Sequence, residues 1–116
     1  MIVRHWSEVP AETVGEGARN TTIRWLIADK DGAPNFYMRM LEIGPDGATP
    51  DHAHPWEHEV YIVGGTGELV IDGGAHPLKV GDTALVPPGL QHFFRSTGSA
   101  PMHMLCLIPA QPEQGE

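Results

Sequence analysis

Three histidines, His52, His54 and His58, fall within seven residues, and a fourth, His92, closes a later stretch punctuated by Gly and Pro. Neutral imidazoles are good ligands for divalent first-row metals. A His-x-His pair alone says little. His-x-His-x-x-x-His running into the apolar stretch Val60-Tyr61-Ile62-Val63, with a Pro87-x-Gly89-x-x-His92 turn further on, points to two halves of one metal site. Four neutral imidazoles would leave a divalent ion its full charge of about +2, whereas three plus a carboxylate would leave about +1. The fuller charge makes a stronger Lewis acid that attracts anionic ligands. A purely structural site is usually closed, tetrahedral and often built with Cys.

The elements that must hold these groups are strands. Alternation puts His58, Val60 and Ile62 on one face and Glu59 and Tyr61 on the other. His52 and His54 share a face just before that strand. His92 opens a strand whose inward set is His92, Phe94 and Ser96. Upstream, Thr21 to Ala28 and Phe36 to Ile43 are rich in β-formers. Phe36, Met38, Met40 and Glu42 form one face of the second run and Tyr37, Arg39, Leu41 and Ile43 the other. Neither face is plainly polar, which predicts a strand covered on both sides. Gly44 to Pro50 reads as a loop, Gly64-Gly65-Thr66-Gly67 as a hairpin turn, and Asp72-Gly73-Gly74 as a second hairpin. Further short strands follow at Ala75–Val80, Thr83–Val86 and Met102–Ile108. With turn signals about every ten residues and no credible helix, the class is all-β, a sandwich or barrel.

Composition bounds the rest. A chain of 116 residues is about one domain. A net charge of −8, with only 7 Lys and Arg and no basic run, disfavours nucleic acid and anionic membranes as partners. The single cysteine, Cys106, excludes an internal disulfide and fits a reducing compartment. The N-terminus lacks the apolar core of a signal peptide and no apolar run is long enough to span a bilayer, so a cytoplasmic location is expected. Residues 1–20 have no sustained period and read as an arm, available for exchange in a dimer or for packing on its own chain. Residues 21–110 form the barrel and 111–116 a flexible tail. There is no phosphate-binding glycine loop, no Gly-x-Ser-x-Gly elbow and no Cys-x-x-Cys. His5, His76 and His103 lie outside the pattern.

Gly47…His52-x-His54-x-x-x-His58 followed by Gly64-Gly65-x-Gly67 resembles the first cupin motif. Gly81-x5-Pro87-x-Gly89-x-x-His92 resembles the second. The flanking strands fit the same barrel. The position where cupins usually carry a metal-binding Glu holds His58, with Glu59 beside it as the alternative ligand; strand alternation favours His58. Ala33-Pro-Asn-Phe36, His54-Pro-Trp-Glu-His58-Glu-Val60 and Leu105-Cys-Leu-Ile-Pro109 are similar to a small single-domain cupin subgroup with a four-histidine site, often bound to manganese. The resemblance implies a double-stranded β-helix, or jelly-roll barrel, with Mn(II) as first choice and Fe(II), Zn(II) or Ni(II) as alternatives. It also implies a homodimer, and an inward-facing last strand bringing Met104 and Cys106 near the metal.

The expected function is metal-dependent oxidoreductase chemistry, dioxygenase-like or an oxidative cleavage, on a small and anionic molecule. The alternatives are a non-catalytic binding or sensing module, a metal-dependent decarboxylase or isomerase, and a metal that only staples the barrel. No residue stands out as a catalytic acid or base. The pocket candidates are Phe94, Met104, Cys106 and Arg39; Phe94 reads equally as a structural core ring, and Cys106 reads rather as a small buried hydrophobe. Arg39 reads either as a receiver for a substrate carboxylate or as a surface salt bridge. Trp56 and Tyr61 are expected at an edge or subunit contact.

Overall fold

The computed structural model describes residues 1–110. In chain order the strands are β1 (Glu12–Thr13), β2 (Arg19–Ile27), β3 (Phe36–Ala48), β4 (His58–Gly64), β5 (Thr66–Ile71), β6 (Gly74–Lys79), β7 (Thr83–Val86), β8 (His92–Ser96) and β9 (Met102–Pro109). The only helical pieces among the described residues are single 3-10 turns at Trp6–Glu8 and Asp29–Asp31.

The long strand β3 joins two antiparallel layers. Its first part pairs with β2 on one side and β9 on the other, from Phe36↔Pro109 to Ile43↔Met102. Its last residue, Ala48, pairs with Arg95 of β8. One layer therefore runs β1-β2-β3-β9-β4-β7, and the other runs from the end of β3 through β8 and β5 to β6. This is an all-β jelly-roll barrel. The segment from Gly44 to Ala48, which reads as a loop in the sequence, is the part of β3 that changes partners. Asp46 takes a left-handed conformation there (φ 59°).

Strand alternation fixes what faces inward. Tyr37, Arg39, Leu41 and Ile43 of β3, Val60 and Ile62 of β4, and Met102, Met104, Cys106 and Ile108 of β9 are all buried. On the opposite face of β3, Phe36 is exposed and Met38, Met40 and Glu42 are half-buried, so the cover expected on both sides is complete only on the inner one. Each fully buried Ile, Leu, Met or Phe contributes about 1.5–3 kcal/mol. That supports a core shared by both layers.

The two Gly-rich turns part company. Asp72 and Gly73 both have positive φ (51° and 76°), and Ile71 pairs with Gly74, a tight two-residue hairpin. Gly64 to Gly67 is not a hairpin. β4 pairs with β7 and β9, whereas β5 pairs with β6 and β8. The chain turns a corner there and passes from one layer to the other. Gly65 (φ 71°) is required at that corner, because a Cβ would lie 2.2 Å from the Pro101 carbonyl oxygen.

The N-terminal arm contacts the residues that flank and form β2. Val9 is buried, its carbonyl accepts from Arg24, and Arg4 pairs with Asp31 at 2.9 Å. The last residues of the sequence-defined arm, Arg19 and Asn20, belong to β2. The tail expected at 111–116 lies outside the described residues.

Candidate metal centre

The two histidine-bearing stretches meet through the backbone. His52 and His92 form an antiparallel bridge, His52 N–H donating to the His92 carbonyl at 3.1 Å and His92 N–H to the His52 carbonyl at 3.0 Å. Gly89 N–H donates to the His54 carbonyl at 2.7 Å. The Pro-x-Gly turn thus clips the His-x-His loop, and its glycine has the positive φ (82°) that the turn needs. Beyond the bridge, Phe94 N–H donates to Thr49 Oγ1 at 2.8 Å.

This places the four imidazoles in one cluster. Ring centroids are 4.1 Å apart for His52–His54, 5.6 Å for His52–His92, 5.3 Å for His54–His58 and 5.1 Å for His58–His92. His54 Nε2 and His52 Nε2 face each other at 3.0 Å. His58 and His92, which open β4 and β8, are buried; His52 and His54 are half-buried at the rim. His92 Nδ1 lies 2.9 Å from the Leu90 carbonyl. A carbonyl can only accept, so Nδ1 carries the proton and Nε2 keeps its lone pair. Trp56 stacks on His54 with ring centroids 4.5 Å apart and planes 6° from parallel. That contact holds the rim imidazole, and Trp56 itself is half-buried and packs against the core. Tyr61 stands exposed on the outer face.

Glu59 points away from the cluster, on the outer side of β4, where it borders a separate open cleft of about 360 Å³ with Glu57, Asn35 and Phe36. That cleft is larger, but it holds no imidazole. The narrow space beside the histidines, about 30 Å³, is lined by His52, His58, His92, Arg39, Phe94, Met104 and Cys106. Room of that size holds one or two waters. Leu41, Thr49, Pro50 and Val14 complete the lining. Leu41 shares a face with Arg39 and was within reach of the alternation argument. Thr49 and Val14 carried no signal.

Arg39 is not a surface salt bridge. It is 2% exposed, and no carboxylate lies within ion-pair distance of it among the described residues. Its Nη2 donates to Cys106 Sγ at 2.9 Å and lies 3.3 Å from His58 Nδ1, and its guanidinium sits over Trp25. Burial is also the main reason that the His58 pKa falls to about 3, with the Arg39 charge and the other three histidines adding to it. His58 is therefore neutral, as a ligand must be. Burial pushes the Cys106 thiol up, partly opposed by Arg39. Outside the cluster, His5 caps the first 3-10 turn, His103 lies 3.5 Å from Glu42, and His76 is exposed on β6.

Three buried atoms at and around the cluster lack a hydrogen-bond partner, His58 Nε2, Arg39 Nε and Trp56 Nε1, and only the first belongs to an imidazole. Among the described residues no three His, Cys, Asp or Glu side chains stand closely enough gathered to hold an ion as they are. The rings are near neighbours rather than a closed cage. The His52–His54 contact still fits a pair of adjacent ligands, because two nitrogens about 2.1 Å from one ion at a right angle lie about 3 Å apart.

A jelly-roll barrel with histidines clipped together at the ends of two strands defines a cupin. Residues 39–108, well over half of the chain, match the family described as the cupin domain, and the chain belongs to it. Its fold closely follows the polyketide cyclase RemF from Streptomyces resistomycificus. The TM-score is 0.90 and the identity 36%, covering 97% of this chain and 82% of that one. Protein SchB from Streptomyces halstedii is 35% identical over 68 residues, 58% of this chain and 49% of SchB. Oxalate oxidase GF-3.8 from Triticum aestivum is 31% identical over 84 residues, 64% of this chain and 37% of the oxidase. The chain thus spans about half of SchB and little more than a third of the oxidase. No helix among the described residues is long and apolar enough to cross a membrane.

Proposed function

We propose that this cupin is a metal-dependent enzyme acting on an enolisable, oxyanion-bearing small molecule, and that its reaction is ring closure of a polycarbonyl chain. His52, His54, His58 and His92 would hold the metal, Mn(II) first and Fe(II), Zn(II) or Ni(II) as alternatives. The observation that carries this reading is the buried, partnerless His58 Nε2 within a cluster of imidazoles that contains no carboxylate. A divalent ion in an all-imidazole site supplies Lewis acidity towards enol and carbonyl oxygens.

The chain's own residues account for the rest. Phe94 and Met104 present apolar walls to that space, which leaves room for only one or two waters and strengthens polar contacts inside. Arg39 adds a fixed positive charge behind His58, which favours an anionic ligand. Among the described residues no carboxylate lines the space beside the histidines as a ready general base. A carbon between two carbonyls is acidic enough for solvent to take its proton in place of a side chain, and this separates ring closure from isomerisation or decarboxylation of unactivated substrates. The likeness to RemF, a polyketide cyclase, supports this choice. The likeness to an oxalate oxidase supports a second reading, oxidative chemistry on a small carboxylate.

One experiment separates them. Metal-free protein is loaded with each of the four ions and incubated with a linear 3,5,7-trioxo ester, whose C2 can close a six-membered ring onto the C7 carbonyl with loss of water, or with oxalate, while products are followed by mass spectrometry and dissolved oxygen by electrode. Metal-dependent ring closure without oxygen uptake supports the cyclase reading. Oxygen consumption with oxalate transfers the assignment to oxidation, and the absence of metal-dependent turnover in every combination defeats both.

A further inference from the structure

His58 Nδ1 has two neighbours that ask opposite things of it. Arg39 Nη2, at 3.3 Å, is a donor with no acceptor capacity, so it favours a bare Nδ1 and a proton on Nε2. Cys106 Sγ, at 3.4 Å, can accept, so it favours a proton on Nδ1 and a bare Nε2. Only the second tautomer can ligate a metal through Nε2. Arg39 Nη2 also lies 2.9 Å from Cys106 Sγ, closer than it lies to the imidazole. The guanidinium thus makes its shorter contact with the sulfur. Meanwhile Nε2 is buried with nothing to donate to. A proton placed there would be an orphan donor, whereas a lone pair there leaves no donor unpaired, with the His54 and His92 rings 5.3 and 5.1 Å from that of His58.

We propose that Cys106 is the positioning residue that sets the His58 tautomer: its sulfur accepts from Arg39 Nη2 and from His58 Nδ1–H together, and so keeps the Nε2 lone pair turned towards the other histidines. The arrangement does for His58 what the Leu90 carbonyl does for His92. A metal-bound imidazole is commonly oriented by an acceptor on its other nitrogen. Here that acceptor is a sulfur on β9, brought level by the pairing of Val60 with Cys106 and of Cys106 with Arg39. Its affinity readout rests on the four-histidine metal reading; its tautomer readout does not.

The test uses the full chain in wild-type form and as Cys106→Ala, Cys106→Ser, Arg39→Met and the Cys106→Ala/Arg39→Met double variant. The His58 tautomer is read in metal-free protein from imidazole nitrogen shifts in NMR. Affinity is read by calorimetric titration with Mn(II) and Zn(II). Cys106→Ala is expected to move the proton to Nε2 and to weaken metal binding about 10- to 100-fold. Cys106→Ser, whose oxygen still accepts, keeps the wild-type tautomer and binds within a few-fold. Arg39→Met removes the competing donor, so the double variant regains most of the affinity lost in Cys106→Ala, a recovery that a packing defect would not show. If Cys106→Ala retains the proton on Nδ1, or if the double variant recovers nothing, the proposal is overturned. If Cys106→Ala does not fold, the serine variant and Arg39→Met still decide it, since loss of the Nδ1 proton in either one contradicts the assignment. Failure of every form to bind metal while the tautomers shift as described would sink the metal reading and leave this one standing.

Discussion

Acid should destabilise the metal-free protein through His58. The folded protein holds this imidazole neutral down to a pKa of about 3, against an ordinary value of 6.5. Between those values the unfolded chain binds a proton that the native state refuses. Stability therefore falls as pH drops below about 6.5 and goes on falling until about pH 3. At about 1.36 kcal/mol per pH unit the loss is roughly 2 kcal/mol at pH 5 and about 3 kcal/mol at pH 4. A small domain has only about 5–15 kcal/mol in total. The assay is urea unfolding in the presence of chelator at pH 7, 6, 5 and 4, on wild type and on His58→Asn, which keeps a polar side chain but does not titrate in this range. With a urea slope of about 1–2 kcal/mol per molar for a chain this size, the two midpoints should converge by about 1–2 M between pH 7 and pH 5. Carboxylates elsewhere titrate alike in both proteins and cancel. Parallel midpoint curves for the two proteins would refute the argument that burial keeps His58 uncharged.

Three further outcomes follow from geometry. Gly65→Ala places a Cβ against the Pro101 carbonyl in a left-handed backbone, so it should cost about 3 kcal/mol and lower Tm by at least ~10 °C, measured by calorimetry. Phe94→Ala removes a buried ring from the wall beside the histidines and should cost about 3–5 kcal/mol, read from chemical denaturation. Glu59→Gln changes only the outer face of β4 and should leave the metal stoichiometry, measured by elemental analysis, equal to that of wild type.

Much of this architecture was legible because alternation and turn chemistry are local. His58, Val60 and Ile62 were assigned inward from period two alone, and the Asp72-Gly73 hairpin from its turn residues. The Gly64–Gly67 corner was not legible. Its residues are those of a hairpin, and only the pairing of β4 with β7 and β9 shows that the flanking strands lie in different layers. Residues 44–48 misled for a related reason, since a Pro and two Gly usually break a strand, yet here they let β3 cross from one layer to the other. Arg39 was visible as a charge in an apolar strand. Its burial beside Cys106 depends on the β3–β9 register, which joins residues 67 positions apart. No local pattern encodes such a contact.

The bridge between His52 and His92 has a consequence for how the protein comes together. His52, His54 and His58 lie close in sequence, so an unfolded chain already offers three imidazoles to an ion. Whatever affinity they provide there subtracts from the stability that a metal lends the native state. His92 is different, because it reaches the others only when β8 has docked and the bridge has closed. With a metal bound, the fourth histidine would thus act as a latch. An ion loaded onto the nascent segment would wait for it, and the part of metal binding that favours the folded barrel over the open chain would come chiefly from that last contact.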